Sequence, residues 1–445
     1  MKKLGKIAKA FVSTALIASC FVSCSKKDSS VGEVRYLNFK PEVAEVYQEL
    51  AEAYKAETGV NVVVETAANN TYESTLTSKM SQKNAPTLFQ INGPRGYASW
   101  SSYCADLSET ELYKHLSDKS LAVTVNGVPY GIPYVVEGYG IIYNKAITDK
   151  YFALDSKATP YTSMDEINNF EALKALADDM QANKEALGIK GVFASTSLKA
   201  GEDWRWQTHL ANLPIYYEFK NNNVDLSSDA TKKISFEYDK EFKNIFDLYL
   251  TDSVIDQKNV GVATVDQSMA EFALEEAAMV QNGNWAWGQI SGVSGNKVLP
   301  ENVKYLPIYT GVAGEESQGL CIGTENFYCI NKKASEADQK ATADFIYWLY
   351  SSKTGKDYVT NKLGFIAPFD TFDASERPTD PLAVEINNWM SKPGITSVSW
   401  NFTLFPSQTF KDNFGASLLR YAQGSKSWED VKADVISDWE TESAM

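Results

Sequence analysis

The sequence predicts an α/β protein with largely parallel sheets and enough chain for two lobes. From Glu33 onward strand-like and helix-like segments alternate, which is the pattern of βαβ units. The chain has 445 residues, 44% of them hydrophobic, so there is apolar material for two domains. Beyond the N-terminal region it shows no internal repeat and no compositional break that would mark a flexible linker. Two lobes joined by several chain crossings would produce that continuity.

The chain opens with Lys2, Lys3, Lys6 and Lys9, followed by the apolar run Ala10 to Ala18. A membrane-spanning helix needs roughly 20 apolar residues. This run is shorter and is broken by Ser13 and Thr14, so it reads as a secretory signal. Cys20 and Cys24 each follow a small residue, in Ile17-Ala18-Ser19-Cys20 and Phe21-Val22-Ser23-Cys24. Both resemble the bacterial lipobox, in which cleavage leaves an acylated cysteine at the new N-terminus. Cys20 fits better at the aliphatic position. Cys24 gives a more usual hydrophobic length and precedes a polar stretch, Ser25 to Ser30. The expectation is therefore a signal peptide over residues 1–24, lipidation at Cys24 with Cys20 as the alternative, and a tether over 25–34. An ordinary cleaved signal with incidental cysteines is the competing reading. Either way the mature chain lies outside the cytoplasm.

Val34 to Phe39 reads as the first strand. Pro41 opens a helix, its fixed φ suiting the first turn, with Val43, Tyr47, Leu50, Ala51 and Tyr54 on one face. Thr58-Gly59 ends it, and Val62-Val63-Val64 follows as a buried second strand. Ser163-Met164-Asp165-Glu166 has the form of a capping box, announcing a helix with Ile167, Phe170, Leu173, Ala177 and Met180 on its core face. Three later helices show the same periodicity. Their stripes are Ala341, Phe345, Trp348 and Leu349; Phe410, Phe414, Leu418 and Tyr421; and Trp428, Val431, Val435 and Trp439.

A net charge of −15 argues against nucleic acid as a partner, because phosphate binding needs basic patches. Beyond the signal region the cysteines are Cys104, Cys321 and Cys329, an odd number that cannot complete a disulfide framework. A Cys321–Cys329 bridge across a hairpin and unpaired buried thiols both fit. The two histidines, His115 and His209, form no cluster with cysteine at metal-ligand spacing. There is no G-x-S-x-G elbow and no phosphate-cradling glycine loop. No catalytic residue, metal or cofactor is expected.

Four motifs follow one another along the chain. The first is Glu57-Thr58-Gly59-Val60-Asn61-Val62, and the second is Ala85-Pro86-Thr87-Leu88-Phe89. The third runs from Asn126-Gly127-Val128-Pro129-Tyr130-Gly131-Ile132-Pro133 to Val136-Glu137-Gly138-Tyr139-Gly140-Ile141-Ile142-Tyr143-Asn144-Lys145. The fourth joins Phe272-Ala273-Leu274-Glu275-Glu276-Ala277-Ala278-Met279 to Asn282-Gly283-Asn284-Trp285-Ala286-Trp287. In this order and spacing they resemble the extracellular solute-binding proteins of bacterial sugar ABC importers, in particular the maltose-binding type, from about Glu33 to the C-terminus. Two positions depart from that pattern. Thr87 stands where the family usually has Asp, and Lys411 falls where the maltose-binding type carries a tryptophan, so maltose is not the expected ligand.

The resemblance implies a two-lobed receptor that closes on its ligand by hinge motion. It places three chain crossings near Glu137, Ile322 and Ala367. Lobe 1 is then 35–136 plus 323–366, and lobe 2 is 137–322 plus 367–445. It also implies a monomer that works with ABC permease subunits and is held to the membrane by its lipid anchor.

A sugar offers hydroxyls at its edge and C–H patches on its faces, so its site needs polar groups and aromatic platforms together. The chain has 10 Trp, 24 Tyr and 21 Phe. Trp285 matches the aromatic that the fourth motif delivers to the cleft, with Trp287 two residues on along an expected strand, where a core position fits equally. Asp203, Trp204 and Trp206 lie where the second lobe of the family supplies acids and aromatics, although a surface helix would read the same way. Glu137 matches a carboxylate that accepts sugar hydroxyls, with Tyr139 beside it; a hinge residue satisfied by backbone amides is its bland reading. Asn92 and Arg95 follow a strand of lobe 1 near a position where the maltose-binding type has an acid and an arginine. Lys40, Pro41 and Glu42 lie at the carboxyl end of the first strand, where ligands of parallel sheets sit.

Two other functions compete with this reading. A secreted glycoside hydrolase needs two placed carboxylates, and nothing marks such a pair among the 57 acidic residues. A receptor of the same fold for a polyamine or a peptide is the nearer rival, since acids among aromatics suit a cation. An uncompensated negative patch in the cleft would favour it.

Overall fold

The computed structural model describes residues 32–68, 71–226, 228–373 and 375–444. Cys20, Cys24 and most of the expected tether lie outside the described residues. Twelve strands occur in the described chain. They are β1 (Val34–Asn38), β2 (Val62–Thr66), β3 (Leu88–Asn92), β4 (Val123–Val125), β5 (Val128–Pro133), β6 (Glu137–Asn144), β7 (Gly191–Phe193), β8 (Ala277–Gly283), β9 (Val303–Leu306), β10 (Gln318–Gly323), β11 (Asn326–Ile330) and β12 (Thr396–Ser399). They form two sheets. The first has the order β2-β1-β3-β11-β5-β4, and the second β12-β10-β6-β8-β7 with β9 also paired to β6.

Parallel pairing joins β1 to β2 and β3, β10 to β12, and β7 to β8. The other pairings are antiparallel and gather on β5, β6, β10 and β11. These are the strands at which the chain changes sheet, from Pro133 to Glu137 and from Gly323 to Asn326. A parallel neighbour needs a long crossover connection. A strand that arrives directly from the other sheet has none, which makes both sheets more mixed than the alternation of elements suggests.

Helices cover both faces of each sheet, and side chains alternate between the two covers along every inner strand. On β11, Tyr328 and Ile330 pack with Tyr47, Leu50 and Phe345, while Phe327 and Cys329 face Leu76, Phe89 and Trp100. On β8, Met279 packs with Leu173, Phe246 and Phe414, while Val280 faces Phe272 and Ile386. The first helix runs Ala44–Thr58 after a 3-10 turn at Pro41–Val43, and Gly59 closes it in the left-handed conformation with φ 75°. Strand β2 lies at the sheet edge, so Val63 is exposed while Val62 and Val64 are buried. The expectation of a fully buried strand fails there, because one face of an edge strand lacks a cover. The capping box at Ser163 and Glu166 forms, but it closes only a 3-10 turn, and the helix itself starts at Phe170 under the cap of Asn169.

Thr87 has a structural explanation. Its hydroxyl accepts from the Arg35 amide at 3.0 Å and from the Thr342 hydroxyl at 2.7 Å, tying β1 to the helix Glu336–Ser351. Cys104, Cys321 and Cys329 are buried thiols, with no disulfide among the described residues. Cys321 lies on β10 and Cys329 on β11, in different sheets, which removes the hairpin bridge. Near the third crossing the chain stays with the first core past Ala367. Leu116 bridges Phe369, which is buried there, and the helix Pro381–Met390 is the next to join the second sheet through Leu382 and Ile386. No helix among the described residues is long and apolar enough to cross a membrane.

The C-terminal helix Trp428–Ser443 is pinned by Trp439, which is fully buried against Phe219, Phe405 and Phe410 and donates to the Thr231 carbonyl at 3.0 Å. Trp439→Ala is expected to destabilise the protein by about 3–5 kcal/mol, the usual loss for truncating a buried tryptophan. Urea unfolding followed by circular dichroism measures it, and an unchanged midpoint would show that the helix is not anchored in this way.

Candidate ligand-binding cleft

The two sheets meet at the carboxyl ends of β1 and β3. Asn38, the last residue of β1, holds the following turn by donating to the Lys40 carbonyl at 2.7 Å and accepting from the Lys40 amide at 3.1 Å. That turn sends the Lys40 ammonium across to Glu137, the first residue of β6, at 2.7 Å, with Glu42 at 3.4 Å. Lys40 is 6% exposed and Glu137 4%. Burial works against both charges. For Lys40 the attraction of Glu137 and Glu42 outweighs it, and the ammonium is held more firmly than in water; for Glu137 burial wins over the pull of Lys40 and raises the carboxyl. At 2.7 Å the two groups form a salt bridge.

Beside it, Asn92 at the end of β3 donates to Glu325 at 3.1 Å, in the short connection between β10 and β11. Burial raises the Glu325 carboxyl, and Lys411 and Lys40 oppose that rise. Glu73 stands on the same side, accepting from the Trp100 indole at 3.1 Å.

The second sheet supplies an aromatic wall. Tyr139 on β6 lies opposite Gly283 on β8, and the turn Asn284–Ala286 follows at once. Asn284 fixes that turn by accepting from the Gly138 amide at 3.0 Å, which presents Trp285 beside Tyr139, their centroids 6.5 Å apart. Trp204 approaches Trp285 at 6.2 Å and His209 approaches it at 5.3 Å. Trp400 and Phe402, after β12, complete the wall at 6.3 and 5.3 Å from His209. Lys40 lies 5.7 Å from the centre of the Trp285 ring, so the ion pair and the aromatic wall touch.

Two further charged groups border the wall. Asp203 is buried, and its Oδ1 has no hydrogen-bond partner among the described residues. It fits because residue 415 is glycine: a Cβ there would lie 1.8 Å from Asp203 Oδ2. Burial and then Asp412 push its carboxyl up to about 6. Lys411, half-buried on the helix Gln408–Ala422, faces Glu325 and Glu73, yet burial outweighs their attraction and lowers the ammonium. Two surface hollows lie elsewhere, one lined by Lys184, Leu250 and Gly424, the other by Tyr113, Leu121 and Phe327. The first has no aromatic lining, and the second sets Tyr113 and Phe327 beside Lys119 with no carboxylate. No group of His, Cys, Asp and Glu suited to a metal ion occurs among the described residues.

Of the residues expected at the site, Trp285, Trp204, Asp203, Glu137, Glu42 and Asn92 gather here. Three roles need correction. Glu137 gives its Oε1 to Lys40, so it is not the free carboxylate that the maltose-binding pattern implies. Trp206 is a core residue, 2% exposed, packed on Phe246 and Tyr249 with its indole on the Ser197 carbonyl. Trp287 begins the helix Trp287–Ser291 and packs with Leu382 and Ile386, because the chain turns at Asn284 and does not continue as a strand. Tyr139 is fully buried and backs the wall. Arg95 is half-buried on the helix Gly93–Trp100, which packs against the turn Phe402–Leu404 of the other sheet's body. His209, Trp400, Phe402 and Glu325 were not foreseen. Val398-Ser399-Trp400-Asn401-Phe402 did carry a signal, an aromatic pair just past a short strand, as at Gly283-Asn284-Trp285.

Residues 49–385 match the family of bacterial extracellular solute-binding proteins. The chain belongs to this family. Solved structures similar to this solute-binding protein include the raffinose-bound solute-binding protein RafE, 16% identical with a TM-score of 0.69 over 92% of this chain and 99% of that one. A maltose-bound protein of T. maritima is 16% identical, with a TM-score of 0.67 over 92% and 100%. A sugar transporter of Bacillus licheniformis in complex with stachyose is also 16% identical, with a TM-score of 0.66 over 92% and 100%. At this identity they show the fold, which is that of the two-lobed periplasmic binding proteins. No curated protein matches the chain. Family membership places the solute-binding protein outside the cytoplasm.

Asp203 gives a pH test of the cleft's geometry. Its carboxyl is raised from 3.8 to about 6 in the folded state, so the folded protein holds this proton more tightly than the unfolded chain. The contribution is therefore lost as pH rises through about 4 to 6, by up to roughly 3 kcal/mol at about 1.4 kcal/mol per unit. Asp203→Asn cannot titrate. Its stability relative to wild type is expected to increase across that window, read from melting temperatures at a series of pH values; parallel profiles would place Asp203 in water.

Proposed function

We propose that this solute-binding protein captures a carbohydrate between its lobes, does no chemistry on it, and delivers it to the permease of an ABC importer. The observation that carries the reading is the meeting of an aromatic wall with polar groups from the other lobe. Trp285, Trp204 and His209 offer faces for sugar C–H patches, and Asn92, Glu325 and Lys411 stand opposite for hydroxyls. The sugars in the complexes of its structural neighbours support the class.

A polyamine fits this cleft less well. A cation would seek the ring face of Trp285 and the carboxylate of Glu137, and the protein's own Lys40 occupies both. Glu325 is likewise faced by Lys40 and Lys411, so the negative charge is not uncompensated.

The mature chain is taken to be a monomeric lipoprotein anchored through Cys24, with Cys20 as the alternative. Its lobes are residues 35–136 with 323 to about 372, and 137–322 with the remainder. Closure on the ligand is the state the permease reads, and the ligand favours it by binding the closed form more tightly.

The test is a thermal-shift screen of the mature protein against mono- and oligosaccharides, with polyamines and short peptides alongside. A ligand at about 100 times its Kd adds roughly 2.7 kcal/mol of stability. A rise with one sugar class is expected, with affinity reduced at least about tenfold in Trp285→Ala. A rise with polyamines or peptides alone would overturn the carbohydrate reading.

A further inference from the structure

His209 reaches the cleft through an unusual piece of backbone. Residues Arg205–Leu210 form a π-helix, in which the Ala211 amide donates to the Trp206 carbonyl five residues back at 3.1 Å. Such turns concentrate at functional sites. Here the wide turn places Trp204 and His209, five positions apart, on one face with their rings 5.1 Å from each other. In an α-helix that spacing would send them to different sides.

The imidazole stacks on Tyr139 at 4.5 Å with 16° between the planes, and Trp285, Trp400 and Phe402 surround it. The Tyr139 hydroxyl donates to the His209 carbonyl at 2.8 Å, which locks the residue in place. Its ring nitrogens have no hydrogen-bond partner among the described residues. The residue is 6% exposed. The charges that act on it are all cations: Lys411 from the helix Gln408–Ala422, Lys40 from the turn after β1, and Arg205 from its own turn. Burial and then these charges push the imidazole down to about 3, leaving it neutral through the physiological range. A neutral imidazole has one N–H donor and one acceptor nitrogen.

We infer that His209 is the specificity-determining residue of the aromatic wall, reading the hydroxyl pattern of the bound sugar by accepting from one hydroxyl and donating to another. The inference rests on the carbohydrate reading above and names the residue that sets which sugar is held. In a wall built otherwise of hydrocarbon faces, its two nitrogens supply the direction that stacking lacks. A site that hydrogen-bonds a substrate hydroxyl also rejects the analogue without it, because its own polar group is then left unpaired.

The experiment uses the sugar identified by the thermal-shift screen and its monodeoxy derivatives, measured by titration calorimetry on wild type, His209→Phe and His209→Gln. Phenylalanine keeps the stack and removes both hydrogen bonds, so the parent sugar is expected to bind about 5- to 150-fold more weakly. Two of the monodeoxy derivatives, each lacking one of the two hydroxyls that His209 reads, are expected to show a smaller difference between wild type and His209→Phe than the parent sugar does, the others an unchanged one, and His209→Gln should recover part of the discrimination. In parallel, the imidazole resonances of the wild-type protein are followed by NMR; His115→Gln assigns them, as the chain has two histidines. The His209 signals should stay constant from pH 5 to 8 without ligand and shift when sugar is added. Equal losses for the parent and every deoxy sugar, or His209 signals that ignore the ligand, would overturn the inference while leaving the carbohydrate reading intact. Should no sugar bind the wild type, the carbohydrate reading fails and this inference with it.

Discussion

The buried ion pair between Lys40 and Glu137 is the contact on which the cleft depends. It joins the turn after the first strand of one lobe to the first residue of the other, in a place where both charges are almost removed from water. Such a pair adds little net stability, but removing one partner strands the other charge at a cost of about 3–5 kcal/mol. It therefore acts as a constraint on geometry. With Lys40 drawn onto Glu137, its ammonium also lies over Trp285 and within 6.0 Å of the Phe365 ring centre, so four chain regions meet at the base of the cleft. The carboxylate that the family pattern would offer to a sugar thereby gives one oxygen to Lys40, and Glu325, Lys411, Asn92 and His209 are the other polar groups that border the cleft.

These groups are distributed in a way that suits a hinge. Glu137 and Glu325 sit on or beside the segments that pass between the sheets, while Lys411 and the aromatic wall belong to one lobe and Asn92 and Glu73 to the other. Lys411 has lost much of its hydration without gaining an ion pair among the described residues, and the carboxylates it faces across the cleft are raised by burial. Charges that balance one another but have lost their hydration gain most from a ligand that supplies hydrogen bonds between them. The wall contributes apolar area, and apart from the Tyr139–His209 stack its rings meet at tilted or edge-on angles with centroids 4.9–6.5 Å apart, the arrangement in which aromatic side chains pack firmly.

Much of this was legible in the sequence because it is local. The first strand and helix, the stop at Gly59 and the stripes of the later helices are set by patterns a few residues long. Trp285 was legible because the strand and turn that deliver it are contiguous. Trp206 and Trp287 were misplaced for one reason: aromatic density says that rings are present, and the backbone decides where they point. A π-turn buries Trp206, and a turn at Asn284 carries Trp287 into a helix. The pairing of Glu137 with Lys40 joins residues 97 positions apart, and the wall draws on positions 139, 204, 209, 285, 400 and 402, so neither has a sequence-local signature. The sheets were mixed for the same kind of reason, since the direction of β6 and β11 depends on which lobe the chain has just left.

The central claim is that a sugar lies against the wall formed by Trp285, Trp204 and His209, with Lys40 remaining on Glu137. A crystal structure of the protein with its highest-affinity oligosaccharide tests it most directly. The account predicts a sugar ring packed on these aromatic side chains, its hydroxyls reaching Glu325, Lys411 or Asn92, and an unbroken Lys40–Glu137 pair. A sugar seated elsewhere, such as the hollow beside Lys184 and Leu250, or bound by Glu137 after Lys40 has swung away, would contradict it.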